Sequence, residues 1–170
     1  MTVKYALAAA VALAFSSTAM AADKGVNEVS GSMTYADIED VSIFFLNGSY
    51  GRYITPMHEV GVNATYANID SDIDELGGSL DGIMVGPFYQ LNFDHGGNLV
   101  PFIGASVNLI EGDLGDSFDY SYGVSAGLKL YPYANTGVVV SVGYQNLVAS
   151  EDWYDDIDAV TFNVGLAVRF

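Results

Sequence analysis

The sequence has no cysteine, few basic residues and, after its N-terminal segment, no apolar run long enough for a membrane-spanning helix. Without cysteine the chain has no disulfides, no thiol chemistry and no cysteine-ligated metal. Five Lys or Arg residues stand against twenty-one Asp or Glu residues in a chain of 170. Nucleic-acid phosphates would repel such an acidic chain, so we expect no nucleic-acid partner.

The chain opens with a cation, then an apolar run, then small residues. Lys4 precedes an apolar run at 5–15, and small residues lead from there to Ala21. This order is typical of a secretory signal peptide. The run is shorter than the roughly 20 residues of a spanning helix, which argues against an uncleaved anchor. We therefore predict a cleaved leader at 1–21 and one exported domain at 22–170.

Eight stretches in which apolar residues alternate with small or polar ones follow the leader, and none has a helical period. Most reach the roughly 9 to 11 residues with which a tilted strand crosses a bilayer. The predicted strands are 27–35, 41–53, 58–69, 79–93, 99–109, 118–131, 137–147 and 159–170.

The two faces of these strands differ in composition. In the last strand Val160, Phe162 and Val164 share one face, while Thr161 and Asn163 share the other. A soluble sandwich would carry Lys, Glu and Thr on its outer face, but here the second face is mostly Gly, Ser and Asn. Small polar residues suit the inside of a narrow barrel, and a sheet in hydrocarbon must close. The sequence predicts an all-β fold, an antiparallel up-and-down eight-stranded transmembrane β-barrel.

The connections between these strands alternate in kind. Links at 54–57, 94–98 and 132–136 are short, whereas links at 36–40, 70–78, 111–117 and 150–158 are acidic. Sixteen of the twenty-one acids lie in or beside the acidic links, counting Asp119. A barrel with periplasmic termini needs short turns on that side and longer loops outside, in this order. Aromatic residues near the strand ends, among them Tyr53, Tyr89, Tyr131 and Phe170, are interpreted as an interfacial girdle.

The C-terminal residues Asn163, Gly165, Val168 and Phe170 resemble the C-terminal signature of bacterial outer-membrane barrels. The chain after the leader resembles the small OmpA/OmpX-like outer-membrane β-barrel family, on stretches such as 47–70, 100–110 and 121–132. This resemblance implies an integral protein of the Gram-negative outer membrane, in contact with membrane lipid and lipopolysaccharide. It also implies that the barrel assembly machinery recognises the last strand. We expect a monomer, and no peptidoglycan-binding domain.

Some small outer-membrane barrels modify lipid A with a histidine near the outer rim, so the resemblance makes catalysis a possible function. The two histidines of this chain, His58 and His95, fall in predicted periplasmic turns. The Ser-His pair that activates a hydroxyl nucleophile is therefore missing from the outer side. We expect no enzymatic activity.

Four acids in one outer link are the candidate metal ligands: Asp70, Asp72, Asp74 and Glu75. Their spacing is similar to the start of a calcium loop, but Glu75 stands where such a loop needs its turn glycine, so this is not an EF-hand. The other interpretation is that the acids only keep the loops solvated. We expect no bound cofactor, apart from diffuse Ca²⁺ or Mg²⁺ shared between the acidic loops and lipopolysaccharide.

The small, polar face of the strands carries few charges. Glu28, Glu59 and Lys129 have inward parity, which means that they occupy the alternate strand positions of the small, polar face. Arg52 and Arg169 lie near the periplasmic rim. Because buried charges need partners, we predict a lumen network of Glu28, Glu59, Lys129 and Arg52 that plugs the barrel. An ion path through the lumen is the alternative, which eight strands leave little room for.

Trp153 and Tyr154 lie between acids in the last outer link. They are candidates for a surface contact or for insertion among lipid headgroups.

Taken together, these features predict a structural role in envelope integrity, with acidic loops presented to the surroundings. The alternatives are a surface binding or adhesion module and a narrow passage for small or hydrophobic solutes.

Overall fold

The computed structural model describes residues 22–38, 41–71, 80–93, 97–150 and 156–170. Eight antiparallel strands follow one another in sequence and close into a barrel, with β1 also pairing with β8. The predicted fold class is confirmed. The strands are β1 (Asn27–Ile38), β2 (Val41–Tyr53), β3 (His58–Ser71), β4 (Leu80–Asn92), β5 (Leu99–Gly112), β6 (Phe118–Leu130), β7 (Thr136–Ala149) and β8 (Ile157–Arg169).

Within these ranges no helix is long and apolar enough to cross a membrane.

Along most of their length the strands place large apolar side chains outside and small or polar ones inside. In β8 the outward residues Val160, Phe162 and Val164 are 49% to 74% exposed, whereas the inward Ala167 and Arg169 are buried. Successive residues of a strand point to opposite faces, so the alternation seen in the sequence becomes a difference between the two sides of the barrel wall. Large apolar side chains left this exposed around a whole barrel suit a lipid environment.

The outer ends of two strands extend beyond the predicted positions. β1 continues to Ile38 and β5 to Gly112, three residues further than the alternation indicated in each case. The link between β1 and β2 is therefore residues 39–40, shorter than the 54–57 turn at the other end of the barrel. The expectation that outer links are longer is wrong for this hairpin, because ladder pairing continues into the acidic segment as Asp37 opposite Ser42 and Ile38 opposite Val41.

The pairing that closes the barrel is its shortest. β1 and β8 share five paired positions, 28–32 against 165–169, whereas β1 and β2 share twelve. Asn27 and Phe170 extend this seam, because each backbone N–H donates to the other residue's carbonyl at 2.9 Å. The last residue of the chain therefore completes the cylinder.

Candidate functional site in the barrel lumen

A buried cluster of charges fills the lumen near the end that holds the chain termini. We call it the lumen plug; its members are Glu28, Glu59, Lys129, Arg169, Tyr53 and Tyr131, each at most 5% exposed. They come from the first residues of β1 and β3 and from the last residues of β2, β6 and β8, or just beyond them. The up-and-down order brings all these strand ends to one rim, so charges distant in sequence meet at one level of the barrel.

Lys129 is the central cation of the lumen plug. Its Nζ donates to Glu28 Oε1 at 2.5 Å and to Glu59 Oε2 at 2.9 Å. The Arg169 guanidinium donates from Nε to Glu28 Oε2 at 3.1 Å. Two carboxylates thus face two cations, and the buried charges balance, as charges removed from water require.

Polar and aromatic neighbours complete the coordination of the two carboxylates. Glu59 Oε2 also accepts from Gln90 Nε2 at 3.1 Å and from Asn92 Nδ2 at 3.2 Å. Glu28 Oε2 accepts from the Tyr131 hydroxyl at 2.6 Å and from the Tyr53 hydroxyl at 3.0 Å. Hydrogen bonds to a charged acceptor are stronger than neutral ones, so these contacts help to offset the desolvation of the carboxylates.

Tyr53 and Tyr131 do not belong to the interfacial girdle, where the sequence placed them. Both are fully buried in the lumen, and the Arg169 guanidinium lies 3.8 Å from the centre of the Tyr131 ring. Their parity carried the signal that was missed: Tyr53 shares the face of Ser49 and Gly51, and Tyr131 shares the face of Lys129. Tyr89 and Phe170, in contrast, are exposed on the outside.

The prediction that Arg52 joins the lumen network is wrong. Arg52 is exposed and makes no ion pair within the described part of the chain. It shares the outward parity of Leu46 and Tyr50, so its side chain cannot point into the lumen. Arg169, with the inward parity of Asn163 and Ala167, supplies the second cation. The structure brings together the other three predicted members, Glu28, Glu59 and Lys129.

A polar cavity of about 210 Å³ extends from the lumen plug toward the outer end. Serine, threonine and amide side chains line it, for example Ser49, Asn63, Thr65 and Gln145. An apolar cluster then occupies the outer part of the lumen. Its buried members are Ala67, Met84, Ile110, Leu114 and Phe118. Leu114, predicted to lie in an acidic loop, comes from the turn after β5 and is only 7% exposed.

The remaining candidate residues lie elsewhere or outside the described ranges. His58 Nδ1 contacts the Tyr89 hydroxyl at 2.5 Å near the terminal rim, and His95 falls outside the described residues. Of the proposed metal ligands, Asp70 lies in β3, whereas Asp72, Asp74 and Glu75 are outside those residues. Among the residues that the structure does describe, no three acidic or histidine side chains are grouped to hold a metal. Trp153 and Tyr154 are also outside the described ranges.

The geometry defines a class of protein. A closed, even-numbered antiparallel barrel with an apolar exterior and a polar, plugged interior is the architecture of small transmembrane barrels. The chain belongs to the outer membrane protein beta-barrel domain family, whose model matches residues 7–170. It is therefore an integral β-barrel protein of the outer membrane. No curated protein sequence matches it.

Solved structures share the fold at low sequence identity. Neisserial surface protein A is 17% identical with a TM-score of 0.63, covering 85% of this chain and 96% of that one. The N-terminal barrel domain of Pseudomonas aeruginosa OprF is 14% identical with a TM-score of 0.58, covering 88% and 100%. The Yersinia pestis outer membrane protein Ail is 14% identical with a TM-score of 0.55, covering 86% and 100%. These likenesses concern the fold.

Proposed function

We propose that this protein has a structural role in the outer membrane, where it stabilises the envelope and presents an acidic outer rim to lipopolysaccharide. The observation that carries the proposal is the lumen plug. Its charged groups are buried and paired with one another, so they block the lumen near the end that holds the termini. This supports a structural role over the narrow passage that was the alternative.

The distribution of charge along the barrel axis gives the second support. Exposed acids crowd the end opposite the termini, where the structure describes Asp81, Glu111, Asp113, Asp116 and Asp156. None of the five Lys or Arg residues of the sequence lies in the four acidic links. The outer leaflet is itself anionic and would repel this acidic rim. Divalent cations, which bind oxygen ligands, would remove the repulsion by bridging the carboxylates to lipopolysaccharide. The proposed partners are thus lipopolysaccharide and diffuse Ca²⁺ or Mg²⁺, with no dedicated metal site.

Complementation of a deletion strain tests this role. We expect the strain to admit a bulky hydrophobic dye and the native chain to restore the barrier. A variant with the exposed outer acids changed to amides (D81N, E111Q, D113N, D116N, D119N and D156N) should fail to restore it. The matched control is D23N, an exposed acid at the opposite end of the barrel. Full restoration by the amide variant, with folded barrel present in equal amount, would overturn the proposal.

A further inference from the structure

A groove crosses the lipid-facing surface of β5, β6 and β7, outside the lumen and away from the rim that holds the lumen plug. Ala105 and Ala126 form its floor, and larger side chains, including Tyr89, Ile103, Tyr144 and Val160, form its walls. It is an open depression of about 610 Å³, and its lining is almost entirely apolar.

Strand register explains where the groove lies. Tyr89, Ala105, Val124 and Tyr144 are paired in turn across four strands and form one lateral row. In the next row Ile103 is paired with Ala126, and Ala126 with Val142. An alanine therefore stands beside larger residues in each row, and the two alanines lie on adjacent strands. The two alanines lower the surface between Tyr89 and Ile103 on one side and Val142 and Tyr144 on the other.

A polar cluster stands at the outer edge of the groove. The Tyr144 hydroxyl donates to Asp158 Oδ1 at 2.5 Å, and Asn146 Nδ2 donates to the same oxygen at 2.9 Å. Asn146 is paired with Asp158 in the row above Tyr144, about 7 Å further along the strands. Asp158 is exposed at the second residue of β8, on the outward face. A carboxylate is thus held in a fixed position directly above an apolar groove.

Asn146 adds an independent observation about this edge. The side chain is only 7% exposed although it has outward parity, and its Oδ1 has no partner among the residues that the structure describes. An acceptor buried on the lipid-facing side is costly unless a donor is supplied. The outer edge of the groove therefore carries hydrogen-bond acceptors and a negative charge. No Lys or Arg of the sequence lies in any outer link, so none of these links supplies a basic side chain to neutralise that charge.

We propose that this groove binds an outer-leaflet glycolipid, with an acyl chain between Tyr89 and Tyr144 and sugar hydroxyl or amide N–H groups donating to Asp158. The apolar floor and walls match an acyl chain. The acceptors above them match a donor-rich saccharide, whereas a phosphate headgroup would be repelled by the Asp158 carboxylate. Asp158 lies at the edge of the acidic rim of the proposed function, but its role here does not depend on divalent cations. The test measures direct binding, not envelope leakage, so the two proposals can fail independently.

Native mass spectrometry of the full-length folded barrel in detergent tests the site. The probes are fully dephosphorylated lipid A and a phosphatidylglycerol of matched acyl length, both without divalent cations. We expect the saccharide lipid to bind at least about tenfold more tightly, a difference of about 1.4 kcal/mol. Equal binding of the two lipids, or binding that requires added Mg²⁺, would overturn the headgroup assignment.

Variants separate the groove from the rest of the surface. A126F fills the floor and should lower binding of the saccharide lipid at least about tenfold. A64F makes the same change at an exposed residue of β3 outside the groove and should leave binding unchanged. Y144F keeps the wall but removes the hydroxyl that orients Asp158, so it should reduce the preference for the saccharide lipid only. Equal loss in A126F and A64F, or a groove occupied by a second copy of the chain in a lipid-free dimer, would overturn the proposal.

Discussion

Lys129 determines how charge is balanced inside the barrel. Its ammonium lies between Glu28 and Glu59. Within the described ranges Glu28 has a second cation at ion-pair distance, Arg169, whereas the ion pair of Glu59 is with Lys129. Removing Lys129 would therefore leave Glu59 with amide donors alone in a buried site. Breaking a buried pair from one side leaves an uncompensated charge, which costs far more than the intact pair contributes.

We predict that K129M lowers the free energy of unfolding by about 3–5 kcal/mol. Methionine keeps most of the side-chain volume, so the loss of stability measures the effect of removing the positive charge. Urea unfolding in phospholipid vesicles, followed by circular dichroism, measures it. K24M, at an exposed lysine near the same rim, is the control and should change stability little. Adding E59Q to K129M should recover part of the loss; a double variant no more stable than K129M would contradict the charge explanation.

The sequence identified three members of the lumen plug because Glu28, Glu59 and Lys129 occupy inward positions of their strands. Arg169, Tyr53 and Tyr131 also occupy inward positions, but strand position alone does not show which of these groups meet. Arg169 and Glu28 are 141 positions apart and meet only because the cylinder closes at the seam of β1 and β8. The error at Arg52 has a simpler cause: nearness to the rim was given more weight than the outward parity of its strand.

At the scale of the strands, the alternation of apolar and polar residues predicted where each strand lies in the sequence. It predicted poorly where the strands end on the outer side of the barrel. Within the bilayer the two faces must differ, so period-two patterning is strict and the strands follow from it. Beyond the bilayer both faces meet water, and a strand there has the acidic composition of a loop. Residues 36–38 and 111–112 belong to strands for this reason, although their composition indicated links.

Close strand contact at Gly86 gives a test of local packing. The described pairs between β4 and β5 stop at Val85 and resume at Phe88, on either side of Gly86 and Pro87. Proline has no N–H to donate, so the ladder is interrupted there. A Cβ on Gly86 would meet the Val107 carbonyl and would lie 2.7 Å from the Asn108 Cα. A side chain at this position must push backbone aside.

We predict that G86A destabilises the barrel by about 1–3 kcal/mol, the usual cost of overpacking. The control is G48A, because a Cβ on Gly48 would have nothing within 4 Å. That substitution should be neutral or slightly stabilising, since alanine reduces the freedom of the unfolded chain. Unfolding midpoints of the two variants in the same vesicles measure the difference. If G86A and G48A behaved alike, the contact of β4 with β5 would be looser than described.

For the whole molecule, closure depends on the final residues of the chain. The seam has five paired positions, extended by the mutual hydrogen bonds of Asn27 and Phe170, so the cylinder is complete only when the C-terminus is in place. The Phe170 side chain takes no part in the lumen and is 64% exposed on the outside. We propose that the barrel assembly machinery recognises the Phe170 ring, together with Asn163, Gly165 and Val168 of β8.

Recognition and folding can be separated, because Phe170 contributes backbone hydrogen bonds to the seam and its ring to the exterior. We predict that F170A lowers the fraction of barrel assembled in cells several-fold while refolding into vesicles from urea proceeds as in the native chain. Gel mobility of unboiled samples measures both fractions. Y133A, at an aromatic residue 73% exposed in the turn between β6 and β7 on the same rim, should assemble normally in cells. Equal losses in cells and in vitro would instead make Phe170 a structural element of the seam, because purified refolding contains no assembly machinery.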